Sequence, residues 1–154
     1  MTLQLVLESL RRIAMVTPEY EGDNVGAVTD AQVTELLQQY PSLVAHKDYL
    51  EFLRMTGGAH IRNARFSLGV YGFGGYVVPS LNEELVVEDD RYFNFGDVLY
   101  EDNQLEILFF WDIKDSAAEG CFARALDTPY FRCADSFTTL LQLFANGHAP
   151  GVDL

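Results

Sequence analysis

His46, His60 and His148 are the histidines of the chain, and Cys121 and Cys133 its cysteines. Zinc chemistry needs imidazole nitrogens and thiolates converging on one point. These five residues show no ligand-pair spacing, so distant parts of the chain would have to bring them together. The run Gly69-Val70-Tyr71-Gly72-Phe73-Gly74-Gly75 has the glycine content of a phosphate cradle. It lacks the spacing, and no helix follows to aim its N-terminus at an anion. Glu88-Asp89-Asp90 could attract a divalent cation but lacks the alternating ligands and glycine of a calcium loop. The sequence contains no Walker-type loop, H-E-x-x-H, G-x-S-x-G or C-x-x-C, so metal-assisted hydrolysis, phosphoryl transfer and serine acyl transfer have no motif here. Carboxylates are abundant. General acid–base work needs them pushed apart in pKa within a cleft, and no cleft can be inferred from spacing. Accordingly no catalytic residue, cofactor or metal is expected.

Tyr71, Phe73 and Tyr76, near Arg62 and Arg65, could in principle stack bases beside phosphate contacts. The formal net charge of −13, with Lys47 and Lys114 as the only lysines, argues against any nucleic-acid partner, because phosphates require a basic patch. The charge is unevenly placed. Between Asn82 and Asp115 lie eleven carboxylates: Glu83, Glu84, Glu88, Asp89, Asp90, Asp97, Glu101, Asp102, Glu106, Asp112 and Asp115. Arg91 and Lys114 alone offset them, while Phe52–Asn82 holds no acid and carries Arg54, Arg62 and Arg65. Such a distribution serves solubility and pairing between the two segments, or else makes an acidic face that steers a basic partner. On the second reading the candidate partner-binding residues are Glu83, Glu84, Glu88, Asp89, Asp90, Glu101 and Asp102.

The elements that must position these groups follow from periodicity. Leu3, Val6, Leu7, Leu10, Ile13 and Ala14 repeat at helical spacing behind a capping Thr2, and Pro18 predicts an end near Val16. TPEYEGDNVGA reads as a polar connector, then Thr29 and Gln32 as a capping box ahead of Val33, Leu36 and Leu37. Pro41 stops that helix. Asp48 opens the next, with Tyr49, Leu50, Phe52 and Leu53 as its buried face and Gly57 as a left-handed cap. Strands are expected at Phe66–Val70, Tyr76–Val78 and Glu84–Val87, and then over Arg91–Tyr100 with a turn or bulge at Gly96-Asp97. Gln104–Trp111, apolar on both faces, reads as a central strand covered on both sides. Cys121–Leu126 and Tyr130–Cys133 follow, and Asp135 or Ser136 caps a last helix carrying Phe137, Leu140, Leu141 and Phe144. Helices, then strands, then one helix predict a single α+β domain with a mainly antiparallel sheet packed against N-terminal helices and one C-terminal helix. The two cysteines suit buried small apolar positions, with a disulfide or metal role as the alternative. No apolar run reaches the roughly 18 residues of a membrane span and no signal peptide is visible, so the expected location is cytoplasmic, away from membranes.

The order of Thr29–Ile61 (a helix, Pro41, the acidic-aromatic DYLEFL of Asp48–Leu53, and Gly57-Gly58) resembles the signature of the SUKH superfamily, the Smi–Knr-like cell-wall-regulator fold. The likeness extends through the FGD of Phe95-Gly96-Asp97 and the Ser136-Phe137 helix to Phe144, and the first 28 residues have no counterpart in it. The resemblance implies that Tyr49, Phe52 and Leu53 pack against the sheet and that Gly57-Gly58 turns the chain into it. It also implies a non-catalytic protein binder. The family includes immunity proteins that neutralise toxins delivered by neighbouring bacteria, and an acidic one suits a basic toxin domain. The alternatives are a regulator or scaffold of the same family acting through protein contacts, or a small ligand-binding domain or enzyme using the glycine-rich stretch.

Overall fold

The computed structural model describes residues 2–20, 25–73, 91–114 and 120–152. Its elements are α1 (Leu3–Ile13), β1 (Met15–Pro18), α2 (Val25–Gln39), a short 3₁₀ turn (Pro41–Ala45), α3 (Lys47–Thr56), β2 (Ala59–Arg62), β3 (Phe66–Val70), β4 (Tyr92–Tyr100), β5 (Leu105–Asp112), β6 (Cys121–Arg124), β7 (Phe131–Ala134) and α4 (Phe137–Ala145). The strands form one antiparallel meander in the order β1 to β7. This is the expected α+β architecture.

Side chains alternate across a strand, so ladder partners share a face. Ile61, Leu68, Val98 and Ile107 are successive partners across β2 to β5 and all are buried. The helices cover this face through aromatic contacts: Tyr49 of α3 lies 5.4 Å from both Phe95 and Trp111, and Phe144 of α4 lies 4.9 Å from Phe66. Phe52 of α3 meets Phe137 of α4 at 5.0 Å. Asp48 does more than open α3. Its Oδ1 accepts from Tyr49 N at 2.9 Å, while Oδ2 accepts from Thr138 N and Thr138 Oγ1, each at 2.8 Å. One carboxylate therefore satisfies donors in the first turns of two helices, where free N–H groups favour negative charge.

Three local expectations need correction. The first helix ends at Ile13 rather than near Val16, because Met15–Pro18 pairs with β2 in the register Met15↔Arg62. Pro18 stands at the end of that edge strand, where a missing N–H costs little. Thr29 is not a cap: α2 begins at Val25, and the buried Thr29 hydroxyl lies 2.8 Å from Val25 O and 2.7 Å from Arg54 O. It reaches a carbonyl near the end of α3 that has no helical partner. The stretch read as Arg91–Tyr100 is the single strand Tyr92–Tyr100, with its bulge between Asn94 and Gly96. The strands expected at Tyr76–Val78 and Glu84–Val87 lie outside the described residues.

Gly57 caps α3 in the left-handed region (φ +69), as the spacing predicts, and Gly58 follows at φ +104. The glycine-rich stretch has a structural use in this corner. A Cβ on Gly72 would collide with the Gly57 backbone, and Phe73 N donates to Gly57 O at 2.8 Å. Gly72 thus permits two backbones to touch, which accounts for it without any phosphate.

Candidate functional site

The helical contacts above lie on one face of the sheet, and the register sorts the residues of the other face into rows. Thr17, His60, Gly69, Asp97, Leu108 and Arg124 are successive partners from β1 to β6. Beside them run Arg62, Ser67, Leu99 and Glu106. Near the β4–β7 end the same face is closed by rings: Tyr92 stacks on Tyr130 at 3.8 Å and meets Phe122 at 5.6 Å, and Phe110 meets Tyr130 at 4.9 Å. The Arg124 guanidinium lies 5.0 Å from the Tyr130 ring, so this cation is held over aromatic faces.

The remaining part of the face holds the carboxylates Asp97 and Glu106, with His60 and Arg62 in the same rows. Gly69 makes room there, since a Cβ on it would sit 3.0 Å from Asp97 Oδ1 and 3.8 Å from His60 Nδ1. His60 in turn reaches Glu19, with Nε2 3.7 Å from Oε1. Burial pushes the Asp97 carboxyl up from 3.8 to about 6, and Glu106 adds repulsion. A hydrogen bond from Tyr71 and the nearby His60 pull in the other direction. Asp97 is therefore still mostly ionised at neutral pH but takes up a proton more readily than an exposed carboxyl, chiefly because it is buried.

Glu106 also lines a groove of about 430 Å³ together with Leu105, Leu108, Leu126 and Asp127. Leu126 is 79% exposed at the β6–β7 turn, an apolar side chain that the fold does not cover. Apolar and acidic lining together suit a side chain with an aliphatic stem and a cationic head, or an apolar residue flanked by basic ones.

Of the seven residues the sequence singles out, Glu101 and Asp102 occupy the β4–β5 turn and are exposed, and Asp102 lines a hollow with Phe66 and Phe144 rather than the groove at Glu106. Gln104 Nε2 donates to Glu101 O at 3.0 Å and to Glu101 Oε2 at 3.3 Å. Glu83, Glu84, Glu88, Asp89 and Asp90 lie outside the described residues. The sequence reading missed Asp97, Glu106 and Asp127 as site residues. Strand alternation supplied a signal for Glu106, which shares the face of Leu108 and Phe110; nothing local marked Asp97.

Among the described residues, no group of three or more His, Cys, Asp or Glu is placed to hold a metal ion. His46 stacks on Trp111 at 4.0 Å, His60 stands on the acidic face, and His148 follows α4. A larger hollow of about 660 Å³ lies between Arg65, Asp102 and His148 over Phe66 and Phe144. It offers an apolar floor and mixed charges but no nucleophile paired with a base. No helix among the described residues is long and apolar enough to cross a membrane. No family model, curated protein or solved structure matches the chain.

Proposed function

We propose that the protein is a non-catalytic, cytoplasmic binder of another protein, with the SUKH-like resemblance of Thr29–Phe144 as its context and a basic bacterial toxin domain as its partner. Binding would neutralise the toxin, which makes this an immunity protein. The single observation that carries the binding reading is the pair of carboxylates Asp97 and Glu106 on one face of the sheet, beside the groove lined by Leu126 and Asp127. Burial lifts the Asp97 carboxyl to about 6 and Glu106 adds repulsion, so an arriving lysine or arginine would relieve that repulsion.

The test is capture from source-cell lysate on the immobilised chain, followed by co-expression of the captured domain with and without it. The expected partner is basic, elutes with salt, inhibits growth alone and is rendered harmless by the chain. Capture that survives Glu106→Lys together with Asp127→Lys would place the contact elsewhere. A captured partner without toxicity would favour a regulatory or scaffold role over immunity.

A further inference from the structure

The outer end of the sheet carries a second cluster, separate from the acidic face. β6 and β7 pair in the register Cys121↔Ala134 and Phe122↔Arg132, with a shift between Cys121 and Phe122. The shift leaves Cys133 as the extra residue of a bulge, which re-aims its side chain. As a result Cys133 Sγ lies 3.6 Å from Cys121 Sγ. Cys121 is fully buried, whereas Cys133 is half-buried and lines a hollow of about 420 Å³ with Arg132, Asp135, Thr139 and Leu143. Arg132 pairs with Asp135 at 3.1 Å and keeps a guanidinium beside the opening.

We propose that Cys121 and Cys133 are a reversible dithiol–disulfide site that reacts with small anionic disulfides of the glutathione type. A disulfide needs its sulfurs at about 2.05 Å, so oxidation asks the pair to close by about 1.5 Å from contact, across neighbouring strands. The roles divide by access. Cys133 is reached from the hollow and loses its proton to solvent; its thiolate attacks one sulfur of oxidised glutathione, forming a mixed disulfide and expelling one glutathione thiolate. Cys121, whose thiol burial holds well above its ordinary range, reacts second. As it gives up its proton, its sulfur attacks Cys133 Sγ, the mixed disulfide breaks, and the second glutathione leaves as a thiol. Two protein thiols are oxidised by two electrons and one glutathione disulfide is reduced to two thiols. The product bond staples the edge strand β7, and with it the approach to α4, onto β6. This proposal is independent of the partner reading.

The experiment incubates the reduced full chain with oxidised glutathione, quenches with acid, and reads intact mass, alkylatable thiols and thermal midpoint. The expected product is a monomer that has lost two hydrogens, alkylates at neither cysteine and melts several degrees higher until dithiothreitol returns it. Cys121→Ser should stall with glutathione on Cys133. Two thiols still free in the wild type, a persistent wild-type adduct, or a covalent dimer would overturn the proposal. Should Cys121→Ser not fold, Cys133→Ser decides instead: it should form neither disulfide nor adduct, and an adduct on Cys121 would refute the assigned order.

Discussion

Asp97 of β4 lies directly opposite Gly69 of β3, so close that a methyl at Gly69 would stand 3.0 Å from Asp97 Oδ1. The missing side chain creates a half-buried place for a carboxyl, and that burial is the main reason its pKa rises to about 6. The folded state therefore holds this proton at pH values where the unfolded chain, near 3.8, has released it. The resulting cost is absent below both values and fully present above about pH 6. Asp97→Asn should stabilise the protein by about 1–2 kcal/mol at pH 7.5, after allowance for partial solvent screening, and the gain should fade toward pH 4. Urea titrations at the two pH values measure it. Destabilisation at pH 7.5 would mean that the Tyr71 hydrogen bond outweighs burial.

His46 is expected to produce the opposite slope. Burial lowers its pKa below 6.5, against a raising contribution from Asp48, and its ring stacks 4.0 Å from Trp111. The unfolded chain protonates first as pH falls, so stability is complete above about pH 6.5 and declines below it. His46→Phe keeps a ring on Trp111 and removes the titration. Thermal melts between pH 7.5 and 5.5, made in the Asp97→Asn background so that the two slopes do not cancel, should flatten with His46→Phe. An unchanged slope would assign it to another group.

Asp48 should be among the costliest polar residues to lose. It serves α3 through Tyr49 N and α4 through both donors of Thr138. Asp48→Ala leaves those donors without their acceptor and should cost about 2–3 kcal/mol in a denaturant titration. Asp48→Asn, which retains an acceptor oxygen, should recover part of that. A loss under about 0.5 kcal/mol, the range of ordinary surface changes, would show that water substitutes freely.

Two glycines to alanine should move in opposite directions. Gly57 has φ +69 and Tyr20 occupies the place a Cβ would take, so Gly57→Ala should cost at least about 1 kcal/mol. Gly26 lies in the first turn of α2, and no described residue comes within 4 Å of where its Cβ would stand. Gly26→Ala should stabilise by about 0.5 kcal/mol, the lower end of the helix-propensity range because the position is in the first turn. Equal signs for the two would refute the backbone argument.

What could be read along the chain was local in origin. The helix Lys47–Thr56 has its periodicity and its stop at Gly57 within one stretch, and Ser136 caps α4 by accepting from Thr139 N, 3.1 Å away and only three residues on. What could not be read depended on distant partners. Met15–Pro18 becomes a strand because Ala59–Arg62 is there to pair with it. Thr29 has the type and spacing of a cap, yet its hydroxyl serves Arg54 O, 25 residues away. The bulge expected at Gly96-Asp97 falls between Asn94 and Gly96, where the ladder to β5 absorbs it. The site divides in the same way. Exposed acids at the β4–β5 turn follow from turn chemistry, whereas Asp97 matters through Gly69, His60 and Glu106, which only the register brings to it.

The acidic face should matter to association and hardly to folding. Glu101, Asp102 and Glu106 are exposed, so replacing all three by lysine should shift stability by no more than about 0.5 kcal/mol per site. Glu106→Lys should even lower the Asp97 pKa, because it exchanges a repelling neighbour for an attracting one; carboxyl chemical shifts during a pH titration report that without any partner. With a basic partner, the triple variant should associate more slowly, and the rate should lose most of its salt dependence, since long-range attraction acts mainly before contact. Dissociation should quicken less, because the apolar lining of Leu105, Leu108 and Leu126 is retained. Leu126→Ser should do the reverse, leaving the salt-dependent on-rate intact and raising the off-rate. If the charge variant binds as the wild type does while its Asp97 pKa falls as expected, the electrostatics of the face are right and the partner docks elsewhere.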